Sequence, residues 1–321
     1  MKKKHQKYVL GVVLAMSVAM LYSTTYNVNA ASLTVASKSV ETKETSEEFG
    51  LQYSLLKDGS GYSIVGYEGY SPIVVIPEEY NGLPVKKIEE YAFATYTKKP
   101  VNYGGTMDWI TVEKNDTLES IEIPDSVTII GEAAFANCTA LKSVKLSNNL
   151  LVIKAYTFLD CDSLESIELP NSVISIEPGA FGRCSSLTSI TIPNGVPSIE
   201  SEVFSGCSSL TSVTIPNSVL SIESGAFKNC SSLTSIELPE SVLRMGWDVF
   251  DGCSSLTSIE IPKSILYFGY EWIDWIHNLR DRDVVYIFEN CPSLKSIIIT
   301  ADSYAEEWAT ASGYADKIIR K

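Results

Sequence analysis

The sequence predicts an α/β repeat solenoid, in which each coil adds one short strand to a parallel β-sheet. The first observation is that six of the seven cysteines recur at one fixed 23-residue interval: Cys138, Cys161, Cys184, Cys207, Cys230 and Cys253. The second is that the segments after them are nearly identical, as in CSSLTSITIPNGV from Cys184 and CSSLTSVTIPNSV from Cys207. Self-similarity at a fixed period of about 20–50 residues is typical of solenoids and other repeat arrays.

The start of the chain, residues 1–30, has the three parts of an export signal. Lysines at the start are followed by an apolar run from Tyr8 to Leu21, and Val28-Asn29-Ala30 supplies the small residues of a cleavage site. The apolar run is shorter than the roughly 20 residues that a membrane-spanning helix needs. We therefore expect residues 1–30 to be a signal peptide, and the mature chain to have no transmembrane segment.

The charge of the chain limits its partners. The formal net charge is −14, and it becomes −18 when the four lysines of residues 1–30 are removed. A protein with this excess of negative charge repels phosphate backbones, so we expect no nucleic acid partner. The same charge favours solubility outside the cell.

Two segments precede the repeats. Residues 31–49 are rich in Ser, Thr, Glu and Lys, a composition that predicts a disordered leader. Residues 50–72 contain LQYSLL and YSIVGY on either side of Lys57-Asp58-Gly59-Ser60-Gly61, which is typical of a β-hairpin. Because the first coil of a solenoid exposes its core, we expect this hairpin to form an N-terminal cap.

Residues 73–300 form the predicted solenoid. When the repeats are aligned on cysteine, leucine follows three residues later, Ile or Val six later, and phenylalanine twenty later. Alternation in Ser189-Ile190-Thr191-Ile192 predicts a strand, and the proline that follows ends it. The Ile-Glu-x-x-Ala-Phe stretch predicts a helical turn. Eight to nine coils stacked at ~4.8 Å give a rod roughly 40 Å long.

The last segment, residues 301–321, predicts a C-terminal helical cap. Ser303-Tyr304-Ala305-Glu306 has the pattern of a capping box. Tyr304 and Trp308 are four residues apart, so they share one face of a helix and can cover the last coil.

The repeat consensus A-F-x-x-C-x-S-L-x-S-I-x-I-P-x-S-V-x-x-I resembles the BspA-like leucine-rich repeats of bacterial surface proteins. The resemblance covers about residues 62–300. Where the commonest leucine-rich repeats carry Asn after the strand, this chain has Pro followed by Ser or Gly, as in the BspA-like class. The resemblance implies a right-handed coil, display outside the cell, and a role in adhesion or host interaction.

The cysteines have three interpretations. Stacked coils place successive cysteines close enough for a disulfide, and export permits oxidation. Each cysteine also occupies an apolar position between Phe and Leu, which favours free, buried thiols. Metal binding is a third interpretation, weakened because the mature chain has a single histidine, His277. We expect free thiols and neither a metal nor a cofactor.

The same lone histidine argues against an enzyme. A Ser-His-Asp or Cys-His arrangement needs a suitably placed histidine, and no glycine-rich phosphate loop occurs. The carboxylates Asp281 and Asp283 are explained by a solvated loop. The sequence therefore predicts a protein without catalytic residues.

Two insertions interrupt the period, at about residues 94–115 and 267–286. Insertions in repeat proteins often carry the binding surface, and aromatic side chains suit a protein or a sugar partner. The alternative is that these aromatics pack on the solenoid. The candidate ligand-binding residues are Tyr96, Tyr103, Trp109, Tyr267, Tyr270, Trp272 and Trp275.

These observations lead to one functional hypothesis and one alternative. The hypothesis is an exported, non-enzymatic, monomeric protein that binds an extracellular protein or glycan, either secreted or held non-covalently at the cell surface. The alternative is a carbohydrate-binding module that acts through the aromatics of the insertions.

Overall fold

The computed structural model describes residues 44–45, 49–69, 71–96, 102–103, 106–107, 112–113, 115–269 and 286–321. These residues form a solenoid of stacked coils with two parallel ladders of short strands and a third side made of turns. The predicted signal peptide lies outside the described residues. Within the segment predicted to be a disordered leader, Glu44–Thr45 form a strand that pairs antiparallel with Gln52 and Tyr53.

The first ladder contains the predicted strands. Equivalent residues of neighbouring coils pair in parallel, as in Ser120 with Ser143 and Ser189 with Ser212, so the register matches the 23-residue period. The middle residue of most strands is buried and its neighbours face outward, as alternation requires. The strands are Ile73–Val75, Ser120–Glu122, Ser143–Lys145, Ser189–Thr191, Ser212–Thr214, Ser258–Glu260, Ser296–Ile299 and Ile318–Arg320.

A second ladder adds to the single strand per repeat that the sequence predicts. Its strands are Leu83–Ile88, Ile129–Ile130, Val152–Ile153, Ser175–Ile176, Ser198–Ile199, Ser221–Ile222, Arg244–Met245 and Tyr267–Phe268. Most are two residues long, and an alternation of two residues cannot be recognised in a sequence. Ile199 pairs with Ile222, and both side chains are buried in the core.

The third side, called the turn face here, comprises the seven residues before each cysteine, such as 131–137. The helical turn predicted there is wrong. The N–H of Phe135 donates to Thr157 O in the next coil (2.9 Å), whereas that of Ala136 donates to Ala133 O in its own coil (3.0 Å). Left-handed residues at Ala133 (φ 51°) and Asn137 (φ 61°) produce this alternation. In a helix every N–H would bond within its own coil. These turns therefore form more hydrogen bonds between coils than a helix would.

The core is built from columns of identical side chains. Eight phenylalanines, Phe93, Phe135, Phe158, Phe181, Phe204, Phe227, Phe250 and Phe288, stack with ring centroids 4.8 to 5.7 Å apart. The leucine and cysteine columns are also buried beside them. Because each coil buries its apolar residues only against its neighbours, the coils depend on one another for stability.

Additional elements lie at both ends of the solenoid. At the start, Leu51–Leu55 and Tyr62–Tyr67 form an antiparallel hairpin, whose second strand pairs with Leu83–Ile88. Glu79–Tyr80 pairs with the same strand across an Asn81-Gly82 turn, in which both residues have positive φ, 50° and 76°.

At the end, the helix Tyr304–Ala311 begins at Ser303, whose side chain accepts a hydrogen bond from Glu306 N–H (3.3 Å). Trp308 stacks on Phe268 with ring centroids 4.1 Å apart. A 3-10 turn, Ala315–Lys317, then leads into the last first-ladder strand. In the described ranges, no helix combines the length and apolar character needed to cross a membrane.

Candidate functional site

The first insertion follows Phe93. Phe135 comes almost two repeat periods after Phe93 instead of one, so residues 95–113 are the excess. Thr95–Tyr96 pairs antiparallel with Val112–Glu113, and Asn102–Tyr103 pairs with Thr106–Met107. The described strands of this insertion therefore pair antiparallel, as the arms of a β-hairpin do. Of the candidate residues, Tyr96 pairs with Val112 and Tyr103 pairs with Thr106, whereas Trp109 lies outside the described residues.

Asn115 closes the gap that the first insertion leaves in the coil. It is buried and lies one full period before Cys138, so it occupies the cysteine position of its coil. Its Nδ2 donates to Phe93 O (3.0 Å), and its Oδ1 accepts from the N–H of Leu118 (3.1 Å). Sequence reasoning missed this residue, although the 23-residue spacing is a signal that could have found it.

A small apolar cluster supports the coil at the base of this hairpin. Ala94, Ala133 and Ala136 are buried on the turn face, separate from the main core, and the half-buried Tyr91 and Tyr156 pack against them, as does Leu159. Tyr91 and Tyr156 have positive φ, 59° and 56°, a conformation that is rare for aromatic residues. Burial raises the pKa of both tyrosines. Because Ala94 is the last residue before the excess segment 95–113, this cluster lies where the first insertion begins.

The second insertion begins later than the sequence analysis placed it. Cys291 comes more than one and a half repeat periods after Cys253 instead of one. Tyr267 pairs in register with Arg244 on the second ladder and is half-buried. The regular coil continues to Gly269 and is described again from Tyr286, so the period assigns the excess to residues 270–284. Tyr267 is thus a coil residue, because it extends a ladder that the sequence did not predict.

The remaining candidates in this insertion, Tyr270, Trp272 and Trp275, lie outside the described residues. Two described aromatics lie near this insertion: Tyr286 just after it, and Trp247 on the neighbouring coil. Trp247 is half-buried on the turn face, and Tyr286 is 44% exposed. The N–H of Asp248 donates to Tyr286 O (3.0 Å), so these aromatics lie on neighbouring coils.

The bases of the two insertions lie at opposite ends of the phenylalanine stack. Phe93 precedes the first insertion and Phe288 follows the second. Seven stacking steps of 4.8 to 5.7 Å separate their rings. The described residues therefore present two separate candidate regions.

Between Ser120 and Glu260 the outward face of the first ladder is mostly polar, and hydroxyl groups near its strands link neighbouring coils. Thr211 Oγ1 donates to Thr188 O in the preceding coil (3.1 Å). Two further serine columns make the same kind of bond, as in Ser208 to Ser185 O (3.3 Å) and Ser241 to Val219 O (2.7 Å). These contacts explain why Ser and Thr recur at fixed positions without requiring a ligand.

The outward face of the second ladder carries an apolar stripe that the sequence analysis did not identify. Leu151 is 53% and Ile174 is 46% exposed, and Pro197 and Leu220 continue the row. Backbone hydrogen bonds connect its members, as from Ile174 N–H to Leu151 O (2.9 Å). In the part of the chain that the structure describes, no group of three or more His, Cys, Asp or Glu side chains is arranged to hold a metal ion.

The repeats of this chain match a known family. The sequence model of the BspA type leucine rich repeat region matches six copies, over residues 77–153, 111–208, 152–280 and 198–305. No curated protein matches the chain at a significant level.

Among solved structures, the chain is similar to a leucine rich cell surface protein from Faecalibacterium prausnitzii. The two are 27% identical, with 82% of this chain and 77% of that chain covered and a TM-score of 0.52. A leucine-rich repeat protein from Bacteroides ovatus is 22% identical, with 85% and 75% covered and a TM-score of 0.52, and is similar in fold. A leucine-rich repeat protein from T. pallidum is 27% identical, with 85% and 97% covered and a TM-score of 0.49.

Proposed function

The chain belongs to the BspA-type leucine-rich repeat family, and from this premise we propose that it is an exported, non-enzymatic scaffold that binds a protein or glycan outside the cell. Proteins with leucine-rich repeats generally serve as interaction scaffolds. The similar protein from Faecalibacterium prausnitzii is described as a cell surface protein, which supports display or secretion. The sequence pattern of residues 1–30, which predicts an export signal, supports the same location.

The observation that carries the proposal is the contrast between the regular coils and the two insertions. Along the regular coils, large side chains are buried in columns and hydroxyls bond to the preceding coil. The insertions add the segments 95–113 and 270–284 to two of the coils. On either side of each segment, the buried columns stay in register with the neighbouring coils. The regular coils do not need these segments, which contain Trp109, Trp272 and Trp275. Aromatic residues are enriched in binding hot spots, so the segments are suited to ligand contact.

The experiment removes each insertion without shifting the repeat. Excision of residues 95–113 joins Ala94 to Lys114, and excision of residues 270–284 joins Gly269 to Val285, and each restores the 23-residue spacing. The two proteins control for each other because both retain every repeat. Each is tested on a glycan array and against immobilised extracellular-matrix proteins, with the unmodified mature chain alongside.

We expect both proteins to stay folded and the one without residues 270–284 to lose binding. The double variant Trp272→Ala, Trp275→Ala is expected to reproduce that loss at an unchanged thermal midpoint. If the unmodified chain binds glycans on the array, the carbohydrate-binding alternative is supported. If it binds immobilised matrix proteins instead, protein binding is supported. If both excised proteins bind as strongly as the complete chain, the insertions are not the ligand site. If the double tryptophan variant unfolds several degrees early and still binds, those aromatics are structural.

A further inference from the structure

A row of charged side chains runs along the second ladder, one in each of five consecutive coils. This row, called the glutamate stack here, consists of Lys154, Glu177, Glu200, Glu223 and Arg244. The first four residues are spaced by one period each, and Arg244 lies on the next strand. The N–H of Glu177 donates to Ile153 O (2.9 Å) and that of Glu223 to Ile199 O (2.8 Å), which holds the carboxylates in register. Neighbouring strands of a sheet lie ~4.8 Å apart, so the three glutamates are close neighbours.

The two outer glutamates are paired. Glu177 Oε1 lies 3.0 Å from Lys154 Nζ, and its Oε2 accepts from the N–H of Ala155 (3.0 Å). Glu223 is buried and forms an ion pair with Arg244. Each outer carboxylate therefore has its own cation partner, Lys154 for Glu177 and Arg244 for Glu223.

The central glutamate lacks a cation of its own. Among the described residues, no Lys or Arg nitrogen lies within 4.0 Å of the half-buried Glu200 carboxylate. The groups that face it are the carboxylates of Glu223 and Glu177, the Arg244 guanidinium and the Ser198 hydroxyl, which accepts from Ser221 Oγ (2.9 Å). Three carboxylates and two cations leave one excess negative charge in the stack.

We propose that Glu200 is a proton-uptake site that makes the solenoid more stable in mildly acidic than in neutral surroundings. A neutral Glu200 balances the two remaining carboxylates against Lys154 and Arg244. It also removes like-charge repulsion between adjacent coils. The site thus couples the cohesion of the central coils to the pH outside the cell.

The direction of the pH effect on stability follows from how many protons the folded and the unfolded states bind. Burial raises the pKa of Glu200, and the charge of Glu223 raises it further, whereas the unfolded chain keeps the ordinary pKa near 4.5. At a pH between the folded-state and the unfolded-state pKa of Glu200, the folded state binds more protons than the unfolded state. Stability therefore rises as the pH falls from above the folded-state pKa towards the unfolded value.

The test compares thermal midpoints between pH 7.5 and pH 5 for the mature chain, Glu200→Gln and Glu237→Gln. The glutamine amide mimics the protonated acid. The control Glu237 is exposed and is not part of the glutamate stack. We expect Glu200→Gln to melt about 2–4 °C above the unmodified chain at pH 7.5 and to lose this advantage towards pH 5. The control is expected to follow the unmodified chain throughout.

Two outcomes overturn the proposal. One is a Glu200→Gln protein that melts at or below the unmodified chain at pH 7.5 with the same pH dependence. The other comes from a carboxyl-carbon NMR titration of the unmodified chain, which needs no variant. It contradicts the proposal if Glu200 titrates at or below the ordinary pKa of 4.5.

Discussion

At the residue scale, the cysteine column combines packing with hydrogen bonding. All seven cysteines are free thiols, and each Sγ lies 3.0 to 3.6 Å from the carbonyl oxygen of a phenylalanine in the preceding coil. A small apolar side chain with one weak donor suits this position, which explains why cysteine recurs there. Asn115 replaces it where the chain must also close the first insertion.

Burial makes the column chemically inert. It raises the pKa of Cys207 to about 12, and the thiolate is the species that reacts with alkylating agents and disulfides. Cys291 differs because it is only half-buried, and burial raises its pKa to about 11. Reactivity of the folded protein should therefore reside at Cys291.

We predict that a thiol reagent such as Ellman's reagent modifies one cysteine of the native protein and seven after denaturation without reductant. A Cys291→Ser variant should show no reaction in the native state. A count of one after denaturation would indicate three disulfides and would contradict the free-thiol assignment.

At the scale of the element, the C-terminal helix closes the aromatic stack. Trp308 is buried, packs on Phe268 and lies edge-on to Phe288, with ring centroids 6.2 Å apart. Tyr304 occupies the same helical face but is exposed. Tyr304 also stacks on Phe268, with ring centroids 5.9 Å apart, but Trp308 is the more buried of the two aromatics and lies closer to Phe268.

We predict that Trp308→Ala lowers the free energy of unfolding by about 3–5 kcal/mol, the usual cost of truncating a buried aromatic side chain. Urea denaturation followed by circular dichroism measures this loss. The matched control Tyr304→Ala removes an aromatic from the same helix and should cost clearly less. Equal losses from both variants would show that Trp308 does not specifically close the stack.

At the scale of the whole molecule, stability is distributed along one dimension. Each coil contacts only its neighbours, through two ladders, the turn face and the core columns. An array of this kind accepts an insertion wherever the entry and exit points stay in register, as after Ala94 and after Gly269. The net charge of −14 favours solubility of the chain.

The prediction at the scale of the whole molecule concerns cleavage of the predicted export signal. Because residues 1–30 have the parts of a signal peptide, we expect protein recovered from the culture medium to begin at Ala31. N-terminal sequencing of the secreted protein checks this. Replacing Ala30 with a bulky residue should block cleavage and serves as the control. Protein that retains Met1 and stays in the membrane fraction would contradict the export interpretation.

Much of the scaffold could be predicted from the sequence because it depends on side chains that repeat. The 23-residue period, the buried leucine and phenylalanine columns and the first-ladder strands all follow from apolar spacing alone. The capping position of Ser303 also follows from local residue types. The composition of the candidate insertions was visible, since Trp272 and Trp275 interrupt an otherwise regular pattern.

Only the tertiary structure decided which backbone groups pair between coils. The second ladder has strands too short to show alternation, so the sequence places Tyr267 in an insertion although it pairs with Arg244. The turn face resembles a helix in sequence, yet its N–H groups divide between two coils. Which charged groups face Glu200 also depends on the residues of the neighbouring coils that stack above and below it. Apolar spacing determines which side chains are buried, whereas pairing across coils depends on contacts between residues a full repeat apart in the chain.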